Sequence, residues 1–282
     1  MLLKEIKKIF HQELNEIYGE DEVSSFFYLL IEHYLGLERF VLAIQPNLMV
    51  DKQEETKLFK ALSELKINRP IQYITGRAYF MDMEFKVGPG VLIPRPETEE
   101  LARWVVSDVT EISESLDILD MGTGSGCIAI GLAKVLKNAN VHALDISEEA
   151  LGLAKENARN NDADVHFFQS DMTNFSIKQK FDIVASNPPY VRYLEKNKMN
   201  NNVLDYEPET ALFVSDDDPL FFYRSIAEFT TKNLKPNGML YLEINQYLGV
   251  ETCCLLKKYD FEKIELRKDM FGNDRMIKAI KN

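Results

Sequence analysis

Apolar positions recur at three- and four-residue steps through the first quarter of the chain. In LLKEIKKIFHQELNEIYG, the residues Leu3, Ile6, Phe10, Leu14 and Ile17 fall on one helical face, and the run stops at Gly19. DEVSSFFYLLIEHYLG repeats the pattern and stops at Gly36, and ERFVLAIQ predicts a shorter helix. DKQEETKLFKALSELKIN opens on Asp51 as N-cap with Glu54 three residues on, and ends before Pro70. Residues 1 to about 68 therefore predict a small all-helical domain.

From 69 to 96 the period changes. RPIQYITGRAYFMDMEFKVGPGVLIPRPE is rich in β-branched and aromatic residues and punctuated by Gly76, Gly88, Pro89 and Gly90, which predicts a β-hairpin acting as a connector. TEELARWVVSDVTEI then reads as a helix. Beyond it, the short apolar runs LDILDM, VHALDI, VHFFQS, FDIVAS and GMLYLEI alternate with helical segments, the signature of a doubly wound parallel sheet. FEKIELRK and RMIKAI lie too close together for a crossover helix, so they predict an antiparallel hairpin closing the sheet. The expected fold is α/β, a mostly parallel seven-stranded sheet with a C-terminal antiparallel hairpin, preceded by the helical domain. The expected boundaries are 1–75 for the helical domain, 76–95 for the hairpin linker and 96–282 for the α/β domain. LEKNKMNNNVLDYEPET, residues 194–210, reads as a long irregular loop of the kind that tends to be functional.

Composition narrows the class. A chain of 282 residues with 45% hydrophobic residues can bury a sizeable core. No window resembles a membrane span, and the start, MLLKEIKKIFHQEL, mixes charge with apolar residues where a signal peptide has an apolar block. The three cysteines, Cys127, Cys253 and Cys254, supply no disulfide framework, and the four histidines lack ligand spacing. A cytoplasmic protein without a metal site is expected. The formal charge of −12 opposes sequence-independent binding to nucleic acid.

Candidate chemistry gathers at the ends of the predicted strands. After LDILDM come Gly122, Gly124 and Gly126, whose spacing lets the backbone turn closely around a ligand. A dinucleotide fingerprint would place its third glycine where Cys127 stands, which disfavours a nicotinamide or flavin site. Asp145 ends the second strand, where a carboxylate can accept from two ribose hydroxyls. Asp171 follows the third and can accept from an adenine amino group, with Met172 against the ring. Asp120 ends the first and can meet an ammonium directly or through water. Adenine, ribose and an amino-acid tail without phosphate describe S-adenosylmethionine, whose demethylated product is S-adenosylhomocysteine.

The fourth strand, FDIVAS, runs into Asn187-Pro188-Pro189-Tyr190. Two prolines remove two donors and fix two φ angles, so the strand must stop there and the chain beyond is held rigid. A planar nitrogen is a poor nucleophile because its lone pair is delocalised. The Asn187 side-chain carbonyl and the Pro188 backbone carbonyl can accept its N–H groups, and Tyr190 can stack on its plane. These bonds strengthen as the nitrogen gains positive charge during attack on the methyl. The residues leave open an amide, an adenine amine in RNA or DNA, and a non-enzymatic cofactor-binding module.

RPIQYITG (69–76), FKVGPGVLIPRPETEELA (85–102), DMGTGSG (120–126), Asp145, SNPPY (186–190), YEPETAL (206–212) and FGNDRM (271–276) together resemble the release-factor glutamine methyltransferase family, also called HemK or PrmC. The resemblance spans nearly the whole chain. It implies a class I, Rossmann-like methyltransferase that methylates the glutamine amide in the Gly-Gly-Gln motif of class 1 peptide-chain release factors, with a helical front domain that helps bind the substrate. S-adenosylmethionine is the cofactor it implies, and a monomer is expected. Carried over, Gly122, Thr123, Gly124, Ser125, Gly126, Asp145, Met172 and Asn187 contact the cofactor, beside Asp120 and Asp171, which the strand-end chemistry adds to that set. Asn187, Pro188, Pro189 and Tyr190 hold the substrate, and Asn187, Pro188 and Tyr190 carry the catalysis. Arg95, Pro96 and Glu97 read as a structural link between hairpin and helix, and Glu207 and Pro208 as shaping the loop over the substrate. LEINQYLG departs from the family by placing Asn245 where a glycine is usual; asparagine tolerates a left-handed turn there.

Overall fold

The computed structural model describes all of residues 1–282 and divides into two compact units, Met1–Gly76 with Asn200–Tyr206, and Arg77–Met199 with Glu207–Asn282. The smaller unit holds α1 (Leu3–Tyr18), α2 (Glu20–Leu35), α3 (Val41–Ile44), α4 (Lys52–Lys66) and α5 (Ile71–Thr75). Leu3, Ile6, Phe10 and Leu14 of α1 are buried against Val23, Phe27, Leu30 and Ile31 of α2 and Leu58, Leu62 and Leu65 of α4. Each such side chain taken from water contributes roughly 1.5–3 kcal/mol. Ile17, the last residue of the predicted stripe, is exposed; in the final turn of α1 it is Tyr18 that packs against this core. Asp51 caps α4 as its sequence suggests: its carboxylate accepts from the Gln53 and Glu54 backbone N–H groups at 2.8 Å, and Glu54 accepts from the Asp51 N–H at 2.9 Å.

The larger unit opens with β1 (Arg77–Phe80) and β2 (Met83–Lys86), paired antiparallel. This hairpin is no free connector. Phe80 and Phe85 are buried in the core of the larger unit, and Asn157 accepts from the Lys86 N–H and donates to its carbonyl. Next come α6 (Pro96–Val109), β3 (Leu116–Met121), α7 (Cys127–Val135), β4 (Ala139–Asp145), α8 (Glu148–Asn160), β5 (His166–Gln169) and β6 (Phe181–Ser186). The predicted irregular loop is instead largely ordered: β7 (Val191–Arg192) and a 3-10 turn over Tyr193–Lys198 lead to α9 (Asn201–Tyr206), α10 (Glu209–Leu212) and β8 (Phe213–Val214). α9 belongs with the smaller unit, where the Tyr206 hydroxyl donates to the Ile67 carbonyl at 2.7 Å. The chain ends with α11 (Phe221–Asn233), β9 (Leu234–Glu243), α12 (Gly249–Lys258), β10 (Phe261–Lys268) and β11 (Asp274–Lys281).

The main sheet has seven strands in the order β10-β11-β9-β6-β3-β4-β5, parallel except where β11 pairs with β9 and β10. Successive strand residues alternate between its faces. Ile118, Val141, Ala143, Ile183, Ala185 and Tyr241 pack toward α6 and α7, whereas Leu119, Leu144, Val184, Leu240 and Leu242 pack toward α11 and α12. Both faces are covered, which is why these strands read as continuous apolar runs. β4 and β5 lie to one side of β3 and β6 to the other, so the strand order reverses between β3 and β6, where open α/β sheets form a ligand crevice at the carboxyl ends. No helix is long and apolar enough to cross a membrane.

Candidate active site

The turn after β3 and the turn after β6 emerge side by side, since Met121 pairs with Ser186 and accepts a 2.6 Å bond from its hydroxyl. The first turn is tight because its backbone is bonded on both sides. Gly122 and Thr123 donate N–H groups to the Leu144 carbonyl at 2.9 Å, and Gly124 donates to Asp145 Oδ2 at 2.8 Å. Gly122 has φ +79°, and a Cβ there would lie 2.6 Å from Met172 Cε. Gly126, with φ +85°, starts α7, and a Cβ there would meet Ile130 and Ala154 at 2.9 and 3.1 Å. Gly122 is required by its backbone conformation, and Gly126 by both its backbone and the close approach of Ala154.

Asp145 also accepts from Ser147 N–H at 2.9 Å, so both carboxylate oxygens brace the glycine turn and the start of α8 while the residue stays partly exposed. Asp171 caps the 3-10 turn Met172–Asn174 through one oxygen, Oδ1, which accepts from Thr173 N–H and Oγ1; its side chain is exposed. Asp120 differs. It is fully buried, its Oδ2 accepts from Thr123 Oγ1 at 2.6 Å, and its Oδ1 has no hydrogen-bond partner. Burial pushes its carboxyl up to about 7. Thr123, Ser125 and Met172 line the same turn; Ser125 is buried, and its carbonyl accepts from Asn157 at 2.9 Å.

The residues fit an adenosyl amino acid. A turn whose three glycines all have positive φ borders Met172, two partly or wholly exposed carboxylates stand at adjacent strand ends, and one buried carboxylate oxygen behind the turn lacks a partner. No phosphate-binding third glycine stands at position 127, which is occupied by buried Cys127.

Asn187, Pro188, Pro189 and Tyr190 follow β6, both prolines on trans bonds, with Pro188 buried and the other three half-buried. The Asn187 Nδ2 donates to Thr98 Oγ1 at 3.0 Å. Thr98, in the first turn of α6, donates to Glu243 Oε2 at 2.5 Å, and the Tyr190 hydroxyl donates to Glu243 Oε1 at 2.8 Å. Glu243 is 1% exposed, and burial raises its carboxyl above the ordinary range. Burial, then the Glu243 charge, holds the Tyr190 hydroxyl well above 10, so it stays protonated. Arg275 donates to the Tyr190 hydroxyl at 3.3 Å and is held by Asp269. None of Thr98, Glu243 or Arg275 was singled out from sequence as a site residue. Thr98, Arg275 and Glu243 lie within the PRPETE, FGNDRM and LEINQYLG stretches, the signal that the sequence offers for them.

The linker residues divide by role. Arg95 pairs with Glu207, which also accepts from the Ile93 N–H at 3.1 Å, so buried Glu207 fastens the VLIPRPE stretch. Asn245 is not left-handed: its backbone lies outside the positive-φ residues. Its side chain instead donates to the Tyr190 carbonyl at 3.0 Å and to Glu195 Oε2 at 2.7 Å, and accepts from the Tyr247 N–H at 2.9 Å. A tolerant backbone is thus not what the asparagine supplies; it supplies three bonds.

Comparison with known proteins gives the same picture over the full length. Residues 5–76 match the family model of the PrmC N-terminal domain, and residues 99–206 that of the methyltransferase small domain. A release factor glutamine methyltransferase of Flavobacterium psychrophilum is 50% identical over 282 residues, 99% of each chain. One of Bacteroides thetaiotaomicron is 42% identical over 279 residues, 98% of this chain and 99% of the other. Among solved structures, a T. thermophilus 16S rRNA N2 methyltransferase in complex with AdoMet and guanosine superposes with a TM-score of 0.54 at 18% identity, covering 73% of this chain and 50% of that one, a likeness of fold. With half of its residues identical to a relative across its whole length, and a glycine turn and an Asn-Pro-Pro-Tyr turn brought to one crevice, this chain belongs to the release factor glutamine methyltransferase family.

Proposed function

We propose that the protein transfers a methyl group from S-adenosylmethionine to the side-chain amide nitrogen of the glutamine in the Gly-Gly-Gln motif of class 1 peptide-chain release factors. The observation that carries this reading is the placement of Asn187 and Pro188 beside the glycine turn at the β3–β6 crevice, in a chain of this family. The helical unit, matching the PrmC N-terminal domain, is assigned to recognition of the protein substrate.

When bound, the cofactor supplies a methyl already made electrophilic by its sulfonium. The protein must hold it and aim a nitrogen at it. Asp145 is assigned the ribose hydroxyls, Asp171 the adenine amine through its Oδ2, and Met172 the ring face. Gly122 to Gly126, with Thr123 and Ser125, form the wall against which the adenosyl group lies. Asp120, buried behind Thr123, is assigned to the ammonium through Thr123 and water rather than by direct contact. Asn187 Oδ1 and the Pro188 carbonyl accept the two N–H groups of the glutamine amide, while Pro189 and the Tyr190 ring bound its plane. These acceptors gain strength as positive charge develops on the nitrogen. The proton becomes acidic only after transfer and can leave to solvent, so a dedicated base is not required.

The test is transfer of labelled methyl groups to purified release factors and, separately, to RNA and DNA. Label is expected on the release factor and absent after substitution of the Gly-Gly-Gln glutamine; label on nucleic acid alone overturns the reading. Asn187→Ala is expected to abolish transfer while the cofactor dissociation constant changes by less than about threefold, since the side chain acts chiefly on the substrate nitrogen. Unchanged turnover would remove the role given to that amide.

A further inference from the structure

Asn187 can face the glutamine either way round. Only one orientation works, because an Nδ2 pointing at the substrate would set donors against the donors of the nitrogen to be methylated. We propose that Glu243 is the positioning residue that fixes this orientation, acting on Asn187 through Thr98 while it holds Tyr190 directly. The proposal rests on the function proposed above and names the groups that set up its acceptor.

Glu243 ends β9, next to β6, and its two oxygens are shared between the two ends of the Asn-Pro-Pro-Tyr turn. Oε2 takes the Thr98 proton and Oε1 the Tyr190 proton, at 2.5 and 2.8 Å. A hydroxyl has one proton. With the Thr98 proton committed to a carboxylate, Oγ1 offers only lone pairs to Asn187, and these can meet Nδ2 but not Oδ1. The 3.0 Å contact from Nδ2 to Thr98 is therefore the only arrangement this chain of bonds allows, and it leaves Oδ1 for the substrate. Thr98 and Glu243 are 3% and 1% exposed, so water does not compete for these bonds. Arg275, donating to the Tyr190 hydroxyl at 3.3 Å, completes the set on the far side.

The experiment uses the full chain carrying Thr98→Val, Thr98→Ser or Glu243→Gln. Valine fills the space of threonine without a lone pair, serine keeps the hydroxyl, and glutamine can donate to Thr98 and send its proton toward Asn187. In ¹⁵N-labelled protein, the Asn187 side-chain amide, assigned by its loss in Asn187→Ala, is expected to exchange with solvent about tenfold or more faster in Thr98→Val and Glu243→Gln, and at the parent rate in Thr98→Ser. In methyl transfer to a release factor, kcat is expected to fall roughly 10- to 100-fold in the first two variants, the scale of a misaligned reacting group. KM and the cofactor dissociation constant stay within about threefold, and Thr98→Ser recovers the parent kcat. Parent-like kcat and amide protection in Thr98→Val would overturn the proposal, as would a loss confined to KM or a failure of serine to restore the rate. If the parent enzyme labels no release factor, the proposed function fails, yet the amide exchange still decides the positioning. If Glu243→Gln does not fold, Glu243→Asp takes its place: a carboxylate one methylene shorter cannot reach both Thr98 and Tyr190, so the same losses are expected, and a parent-like kcat and amide protection overturn the proposal.

Discussion

At Asp120 a carboxyl group without exposed surface is bonded through one oxygen to Thr123, and its pKa is raised from 3.8 to about 7, chiefly by burial. A raised acid binds its proton more tightly when folded. Its stabilising contribution is complete below the unfolded value near 4 and is lost as pH rises through about 7. Asp120→Asn is expected to remove this slope. Unfolding free energies measured from pH 4 to 8 should show the parent losing on the order of 4 kcal/mol at most relative to the variant; parallel curves would show that the carboxyl is not buried as described. The places of Asp120, Asp145, Asp171 and the glycines were legible in the sequence because each lies at or just beyond the end of a short apolar run. Glu243 and Thr98 were not. They lie 145 residues apart, one at the end of a buried strand and the other in the first turn of a helix, and only the pairing of β9 with β6 brings them to one amide.

Among the elements, the stretch after β6 shows what local pattern cannot report. The 3-10 turn Tyr193–Lys198, α9 and α10 are six, six and four residues long, too short to carry an amphipathic period or to hold together alone. The 3-10 turn is fixed instead by Arg192 and Asn245 bonding Glu195, the approach to α10 by Glu207 bonding Arg95 and Ile93, and α9 by the Tyr206 hydroxyl bonding the Ile67 carbonyl. Asn245→Gly is expected to lower stability by about 1–3 kcal/mol, the scale for leaving the buried Glu195 and the Tyr190 carbonyl short of a donor. Amide hydrogen exchange should quicken over 191–199 and stay unchanged in β3 and β4; uniform quickening would mean that the effect is global. At the glycine turn, Gly126→Ala must carry a positive φ and crowd Ile130 and Ala154. A loss of about 1–3 kcal/mol in denaturant titration, with weakened cofactor binding by calorimetry, is expected.

For the molecule as a whole, the alternation of strand and helix was readable because both faces of the sheet are covered. The long apolar runs and the helical periods between them admit few other arrangements. The reversal between β3 and β6, which marks the crevice, is set by which strands pair and not by that alternation. What the pattern could not show is that the chain returns to the helical unit: Asn200–Tyr206 is drawn from the middle of the α/β sequence, and Tyr206 bonds the Ile67 carbonyl. Inheritance of the front unit as a module is thereby constrained, since it is encoded in two places. A chimaera that takes residues 1–76 from a relative but keeps its own 200–206 is expected to melt lower than one exchanging both segments, and equal melting temperatures would refute this. A recombination point at Gly76, which looks like a clean seam along the chain, cuts through a folded unit.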